Sequence, residues 1–535
     1  MLRSLATFAL IAGVIATAWY GLGRPVPMPP SPLGSGEKLT CLSYAPFHPG
    51  QAPFAPDLRI PDRQIEADLW RLSKQTRCVR TYSARGPYAR ISRLAERFGL
   101  QVLQGIWLNR NRAENRLEIE AAIRLARRHP DTITALIVGN ETLLRGELPP
   151  ETIKAHLEEV GRRTHLPVTY ADVWEFWLEA PELAGAVDFV TIHILPYWED
   201  DSVRVEEAVA HVREVREKVA AAFPGKEIVI GEVGWPSRGR MREGALPSPV
   251  NQARFLSGMV QLAAAENWKV NIVEAFDQPW KRLLEGTAGG NWGLYDGASR
   301  EPKFRFGEPV SNHPDWRLKA GLGIVAAFLV WLAYWRGWRD GGTHQTSWRT
   351  DAGYAAIALT SGLVFGLAAA NLPIEGEMPA DRLRGALMLV LALVVPMASA
   401  YALARGDRLE GFAEALDPDH WHARDVVAVT LSLLLAATAV AAIHVALGLV
   451  FDPRYKDFPL AVLTGPVLAL AVLAGASGKS SSPPGIAERT AAAVLAGSGL
   501  FIVLNEGIAN WQALVFSALL LILALTCLRA KAAPS

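Results

Sequence analysis

The chain has 535 residues, a formal net charge of +1 (Lys+Arg 54, Asp+Glu 53) and 50% hydrophobic residues. That balance gives no electrostatic footprint for nucleic acid or a strongly charged ligand. The cysteines, Cys41, Cys78 and Cys527, form no CxxC pair, so neither a zinc ribbon nor a redox motif is supported.

Apolar residues concentrate at the N-terminus and after Trp316, with ordinary soluble composition between. Leu5 to Leu22 is an uncharged run just after Arg3. It fits a cleaved signal peptide or a retained anchor. Its length is near the ~20 residues needed to span, and Trp19-Tyr20 sit where an interfacial belt would. Both favour an anchor over residues 1–23, although Ala16-Thr17-Ala18 leaves a cleavage site open. Residues 24–36 are rich in Pro and Gly and read as a linker.

From residue 37 to residue 311 short β-branched or aromatic runs alternate with amphipathic stretches. The strand-like runs are Leu39–Ala45, Cys78–Ser83, Gln101–Leu108, Thr132–Gly139, Pro167–Trp174, Asp188–Leu195, Glu227–Gly234 and Val270–Phe276. Helical patterns cover Pro87–Phe98, Arg112–Arg128, Pro150–Thr164, Val203–Phe223 and Ser248–Asn267. This alternation predicts a (β/α)8 TIM barrel, which needs about 250 residues. An open doubly wound sheet is the rival, but no Gly-rich phosphate turn follows an early strand.

Residues 317–530 predict an all-α, multi-span transmembrane module of about seven helices. The spans lie near Leu318–Trp335, Ala352–Ala370, Gly385–Ala404, Val426–Val450, Leu460–Ala474, Ala491–Leu504 and Trp511–Leu528. With the N-terminal run the count is even, so both termini share one side. That side carries Arg3, Arg336, Arg339, Arg349, Arg405, Arg408, Arg424, Lys479, Arg489, Arg529 and Lys531. The opposite short loops carry Arg382, Arg384, Arg454 and Lys456. The positive-inside rule then predicts a multi-pass protein of the cytoplasmic (inner) membrane, its barrel on the periplasmic side. Pro396 and Pro466 are expected to kink their helices. His444, Asn505 and Glu506 are intramembrane or interfacial polar groups. No transporter signature or glycosyltransferase motif is present.

In a barrel the chemistry sits at the C-terminal ends of the strands. The fourth strand ends Val138-Gly139-Asn140-Glu141 and the seventh Ile230-Gly231-Glu232. Glycoside cleavage needs two carboxyl groups flanking the scissile bond, and strands four and seven face each other across the mouth. One strand-end Glu alone is more often a solvated or salt-bridged loop residue; two, each in a distinctive motif, are not.

Here the sequence resembles glycoside hydrolase family 17, the β-1,3-glucanase family, in the form found in bacterial membrane proteins. The matching pieces run in order along the barrel region: Ser43-Tyr44-Ala45-Pro46-Phe47, Val79-Arg80-Thr81-Tyr82-Ser83, Val138-Gly139-Asn140-Glu141, Ala171-Asp172-Val173-Trp174, Ile192-His193 through Pro196-Tyr197-Trp198, Gly231 through Ser237, Glu274 through Lys281, and Asn291-Trp292-Gly293-Leu294. The blocks around Glu232 and Glu274 are the most specific. The resemblance implies a TIM barrel with retaining chemistry on β-glucans. It makes Glu141 the general acid/base and Glu232 the nucleophile. Asn140 would bond the sugar 2-hydroxyl, a contact that strengthens in the transition state. The acid must stay protonated near neutral pH and the nucleophile ionised.

Tyr44, Arg80, Tyr82, Asp172, His193, Tyr197, Glu274 and Lys281 lie in matched blocks at other strand ends and are expected around the substrate. Glu274 would hold Lys281 or orient Glu232, a reading about even with a buried structural ion pair. Tyr82, Tyr197, Trp198, Trp235, Trp280 and Trp292 are candidate sugar-stacking rings, core packing being as good a reading for each. His193 is expected to be a structural or substrate-contact residue, since no second metal ligand is spaced for it. Many relatives have Glu where Gln278 stands, which suggests an outer carboxylate lost. If Tyr44 and Arg80 point inward, alternation turns Cys78 inward and Cys41 outward, so free buried thiols are expected. Cys527 reads as a packing residue in the last span.

No metal or organic cofactor is implied. The expected partners are a β-glucan and the lipid bilayer. A membrane polysaccharide synthase is a further expectation, because some family members are linked to glucan synthesis. Within the enzyme reading, transglycosylation or remodelling stands beside simple hydrolysis. The reading of another class is a non-catalytic glucan sensor or transport subunit, which would have no need of both Glu141 and Glu232.

Overall fold

The computed structural model describes residues 2–55, 58–341, 347–375, 379–412, 426–476 and 484–530. The chain divides into two compact units. One comprises Val26–Leu284 and Ala288–Val310; the other comprises Met1–Pro25, Glu285–Thr287 and Ser311–Ser535.

The first unit is a closed barrel of parallel strands in sequential order. The strands are β1 (Cys41–Ser43), β2 (Cys78–Arg80), β3 (Gln101–Ile106), β4 (Ile133–Asn140), β5 (Val168–Val173), β6 (Val190–His193), β7 (Ile228–Val233) and β8 (Val270–Ile272). Each lies within its predicted run except β4, which runs one residue further, to Asn140. Along β4 every residue but Thr134 is buried, as a parallel strand covered on both faces must be. Closure is made by Cys41 opposite Asn271 and Leu42 opposite Ile272. Inside the barrel Asn271 Nδ2 donates to Ser43 Oγ (2.8 Å) and to the Gly231 carbonyl (2.7 Å). One amide thus ties β8 to both neighbours.

The helices form where the 3.6-residue period predicts them, at Arg112–Arg128, Pro150–Arg163, Val205–Ala222 and Pro249–Ala265. Asn111 caps the first of these by accepting from the Ala113 and Glu114 amides. Ser248 caps the last, with Pro249 opening it. The helix Asp62–Leu72 was not among the expected segments. It buries Ile65, Leu69 and Leu72 together with the charged Asp68. Asp68 accepts from Tyr44 Oη (3.1 Å) and is ion-paired with Arg300. The stretch from Val26 belongs to the barrel unit: Val26 and Val310 exchange both backbone hydrogen bonds.

The cysteine expectation is overturned. Cys41 and Cys78 form a disulfide, with Cα atoms 4.4 Å apart. Register explains it. Leu42 lies opposite Val79 and Ser43 opposite Arg80, which sets Cys41 abreast of Cys78. Tyr44 is not an inward residue. Ser43 is the inward residue and Tyr44 turns to the Asp62–Leu72 helix, so Cys41 shares the inner face with Ser43.

The second unit is helical. Among the described residues seven helices are long and apolar enough to cross a membrane: Arg3–Gly23, Trp316–Asp340, Trp348–Glu375, Pro379–Arg405, Val426–Phe451, Ile486–Glu506 and Trp511–Arg529. Leu460–Ala476 is apolar but shorter, with 17 residues. Small residues set the closest crossing. A Cβ on Gly323 would meet the Gly362 carbonyl at 2.0 Å, and one on Gly366 the Lys319 carbonyl at 2.0 Å. The N-terminal helix packs Ile11, Ile15 and Trp19 into this core. Pro396 and Pro466 lie inside helices. Glu506 accepts from Asn510 Nδ2 (2.8 Å), and Asn510 caps the following helix, which gives this buried pair a structural role. Arg424, Lys479 and Lys531 of the charge comparison lie outside the described residues.

The bridge closes a loop between positions 37 residues apart. Chain entropy assigns such a crosslink about 3–4 kcal/mol. Alkylation of the denatured, unreduced chain should label Cys527 alone, with Cys41 and Cys78 joining after reduction. Cys78→Ser should lower the thermal midpoint of the barrel by several degrees. Three reactive thiols before reduction, or an unchanged midpoint, would contradict the crosslink.

Candidate active site

The strand ends of β2, β4, β6 and β7 bring one connected set of polar side chains together. Glu141 leaves β4 through a backbone turn that only a special sequence permits. Gly139 has φ 91° and Glu141 itself φ 51°. A Cβ on Gly139 would approach Thr142 Oγ1 to 2.9 Å and the Tyr170 ring to 3.0 Å. The β4–β5 register shifts between Ile137 and Asn140, an irregularity that re-aims the side chains at the strand end. Left-handed φ at a non-glycine residue is held only where its surroundings over-determine it. Here the Glu141 amide donates to the Ala171 carbonyl (2.8 Å). The Leu143 amide donates to Tyr170 Oη (2.9 Å) and Asp172 Oδ2 (3.0 Å).

Opposite, Glu232 near the end of β7 is 9% exposed, against 22% for Glu141. Its Oε1 accepts from Arg80 Nη1 and from Tyr82 Oη (3.0 Å). Arg80 is buried and also donates through Nη2 to Asn140 Oδ1. Its guanidinium lies 4.3 Å from the Tyr82 ring centre. Burial alone would raise the Glu232 carboxyl. The fields of His193, Arg80 and Lys281, with the Arg80 hydrogen bond, outweigh it and hold the group down at about 2.

His193, fully buried at the end of β6, lies between the two acids. Its Nδ1 is 2.8 Å from Glu141 Oε1, and its Nε2 is 3.9 Å from Glu232 Oε1. One oxygen of each carboxylate and a histidine nitrogen lie within 4.8 Å of one another. The expectation that nothing stands near His193 as a second ligand is therefore corrected: three groups converge. By separation alone they could hold a cation, but the Arg80 guanidinium already engages Glu232, and like charges repel.

The other expected residues divide. Glu274 is 1% exposed and accepts from Lys281 Nζ at 3.1 Å, so that ion pair forms. Asp172 is wholly buried beneath the Glu141 turn. Burial raises its carboxyl to about 6, against the pull of the Tyr170 hydroxyl, while the Glu141 charge adds to the rise. It reaches the site through backbone, not directly. Tyr44 faces Asp68, away from the carboxylate pair. Tyr197 is fully buried, with its hydroxyl on the Arg240 carbonyl (2.9 Å). Trp235 is equally buried, with its indole N–H on the Leu246 carbonyl (3.1 Å). For these two, core packing is the reading the structure supports, and Trp292 at 3% exposure joins them. Trp198 and Trp280 stay half-buried.

Two residues escaped the sequence reading. Arg145 donates to the Asn140 carbonyl and to the Leu108 carbonyl (2.8 Å), and it covers Trp107 with its guanidinium 4.2 Å from the ring centre. Glu118 accepts from Ser83 Oγ (2.6 Å) and the Ala84 amide (2.9 Å), fixing the chain after Tyr82. An Arg in the loop after β4 and a Glu on an amphipathic helix carry no sequence signal of such roles.

Residues 41–293 match the BtgE/BtgC glycoside hydrolase domain. A glucan 1,3-beta-glucosidase of Arthroderma benhamiae is 26% identical over 304 residues, covering 52% of this chain and 97% of that protein. The glucan 1,3-beta-glucosidase BGL2 of Candida albicans is 26% identical over 258 residues, covering 43% of this chain and 82% of that protein. A solved glycoside hydrolase family 17 β-1,3-glucanosyltransferase from Rhizomucor miehei shares 22% identity with a TM-score of 0.44, over 50% of this chain and 95% of its own. The barrel is thus that of a glycosidase. Through residues 41–293 the chain is similar to the BtgE/BtgC glycoside hydrolase domain and to glucan 1,3-beta-glucosidases.

The Arg80 contacts generate a test with a sign. A carboxyl held near 2 is ionised at every pH above that value. Without the guanidinium it takes up a proton at higher pH. Arg80→Met should therefore move the acidic limb of kcat/KM on β-1,3-glucan oligosaccharides toward neutrality. Loss of a charge-assisted bond should cost about 10- to 100-fold at neutral pH. An unshifted limb would show that Arg80 does not control Glu232.

Proposed function

We propose that this chain cleaves β-1,3-glucan by double displacement, with Glu232 as nucleophile and Glu141 as general acid/base. The observation that carries the reading is the approach of one oxygen of each carboxylate to within 4.8 Å. Retaining enzymes hold the two groups about 5–5.5 Å apart, whereas inverting enzymes leave roughly 6.5–9.5 Å for a water.

In the first step Glu232 Oε attacks the anomeric carbon, the bond to the glycosidic oxygen breaks, and Glu141 gives that oxygen its proton. Ionised Glu232, clamped by Arg80 and Tyr82, suits attack. Glu141 is the more exposed of the two, which suits a group that meets leaving and incoming hydroxyls. His193 orients it from the buried side. Asn140 gives its carbonyl oxygen to Arg80, which leaves its Nδ2 to donate to the sugar 2-hydroxyl. In the second step Glu141 takes a proton from water or from a sugar hydroxyl as that oxygen displaces Glu232. Water gives hydrolysis and a sugar gives transfer.

The apolar helices support a membrane-tethered enzyme, and the Cys41–Cys78 disulfide supports an oxidising, extracytoplasmic compartment for the barrel. Basic residues Arg336, Arg339 and Arg405 at helix ends support the same orientation. A tethered barrel beside a nascent glucan, in company with a polysaccharide synthase, favours remodelling by transfer over degradation.

Incubation with a β-1,3-linked trisaccharide should give products longer than the substrate, with the new anomeric centre β by NMR. Glu232→Gln should lower turnover by on the order of a thousandfold or more. Glu141→Ala should regain cleavage of activated glucosides with azide, forming the β-glucosyl azide. Only shorter products would assign hydrolysis. An α product, or full turnover in Glu232→Gln, would overturn the mechanism and favour a glucan-binding sensor.

A further inference from the structure

We propose that a groove among three helices of the helical unit holds one anionic phospholipid, with an acyl chain along the groove and the phosphate on Arg336. The inference rests on the membrane-tethered reading given above.

The walls are the helices Trp316–Asp340, Pro379–Arg405 and Val426–Phe451. The groove has a volume of about 410 Å³, the bulk of one acyl chain and too little for another helix. Leu329 and Ala333 line it from the first helix, Met397 and Ala398 from the second, and Val427 and Leu431 from the third. Thr430 also lines it, but its hydroxyl donates back to the Val426 carbonyl (2.8 Å), so the groove stays apolar. Leu329, Ala333 and Arg336 are spaced four and three residues apart and share one face of their helix. The groove therefore runs along that helix and ends at a cation. An apolar trough closed by a cation matches an amphiphile with an anionic head. It matches neither a free anion nor a neutral hydrocarbon.

The polar end is built for a phosphate. Arg336 and Tyr401 both line it. Arg336 Nε donates to Asp340 Oδ2 (3.0 Å), which also accepts from Tyr401 Oη (3.1 Å). Arg336 Nη1 and Nη2 have no partner among the described residues. Those two groups are donors in a fixed fork, the geometry that takes a phosphate. The charges agree. The last turns of the first two walls carry Arg336, Arg339 and Arg405. Asp340 balances Arg336, and Asp407 balances Arg405 at 2.9 Å. Arg339 lies 5.0 Å from the Trp335 ring centre and has no acidic partner among the described residues. One positive charge is left over, and a phosphodiester carries one negative charge. Trp335 and the exposed Trp338 mark this level as that of the headgroups. In the proposed orientation it belongs to the cytoplasmic leaflet, where anionic lipids supply the negative surface.

The test uses the full chain in a neutral detergent, stripped of lipid and followed by native mass spectrometry. It is titrated with phosphatidylglycerol or with phosphatidylcholine of the same acyl chains. One phosphatidylglycerol should stay bound, about fivefold more tightly than phosphatidylcholine, the worth of one basic residue beside an anionic headgroup. Arg336→Gln should remove that preference while leaving the lipid-free thermal midpoint in place. Ala398→Phe, which fills the groove, should weaken both lipids several-fold. Arg384→Gln, near the start of its helix, should change neither. Inorganic phosphate at equal concentration should not compete. Equal affinity for the two lipids, an equal loss in Arg384→Gln, or displacement by inorganic phosphate would overturn the site. Release of the chain from membranes by alkaline carbonate would sink the membrane reading separately, and the lipid preference in detergent would still report on the groove.

Discussion

A guanidinium sealed inside the barrel mouth is the constraint around which the site is arranged. Arg80 has lost nearly all contact with water, and an unpaired charge in that position would be strongly destabilising. Its partners are Glu232 and Asn140, one from β7 and one from β4. The fields of His193, Arg80 and Lys281 together keep Glu232 ionised, and the Arg80 contact at the same time makes the burial of Arg80 tolerable. Removing either residue takes from the other its hydrogen-bonded opposite charge. The asymmetry between the two acids follows. Glu232 sits deep beside a cation, while Glu141 sits higher, against an imidazole and the open groove.

The scaffold turns this pairing into a fixed geometry. Gly139 admits a turn that no side chain would fit, and Tyr170 with Asp172 grips the Leu143 amide behind it. Arg145 pins the Asn140 carbonyl from the other side. On β1, β7 and β8 the Asn271 amide does similar work. Groups held this way need no rearrangement when charge develops, which is where electrostatic catalysis gains most. The strands that supply them are short, so their ends owe their placement to these side-chain ties as much as to the ladder.

Much of this was legible in the sequence because a parallel barrel writes itself plainly: buried strands read as apolar runs, and carboxylates at two strand ends stand out against them. Glu141, Glu232, Arg80, Tyr82, Asn140 and His193 meet in the structure. What was not legible depended on direction and register. Tyr44 and Ser43 are adjacent, and only the tertiary partner Asp68 decides which faces inward; that single reversal also hid the disulfide. The helix bearing Asp68 was missed because its one buried charge interrupts the apolar face. Trp235 and Tyr197 lie in strongly matched blocks, yet their polar tips bond backbone carbonyls in the core.

The helical unit follows simpler physics. Its crossings are set by glycines that let backbones touch, and its helices match the apolar runs of the sequence. The central claim concerns the barrel, and it is tested most directly by trapping the intermediate. An activated glucoside carrying fluorine in place of the hydroxyl beside the anomeric carbon slows breakdown of the glucosyl-enzyme. Mass spectrometry of the digested chain should then find one fluoroglucosyl group on the peptide that holds Glu232. Label on Glu141, on another carboxylate, or on none at all would contradict the account.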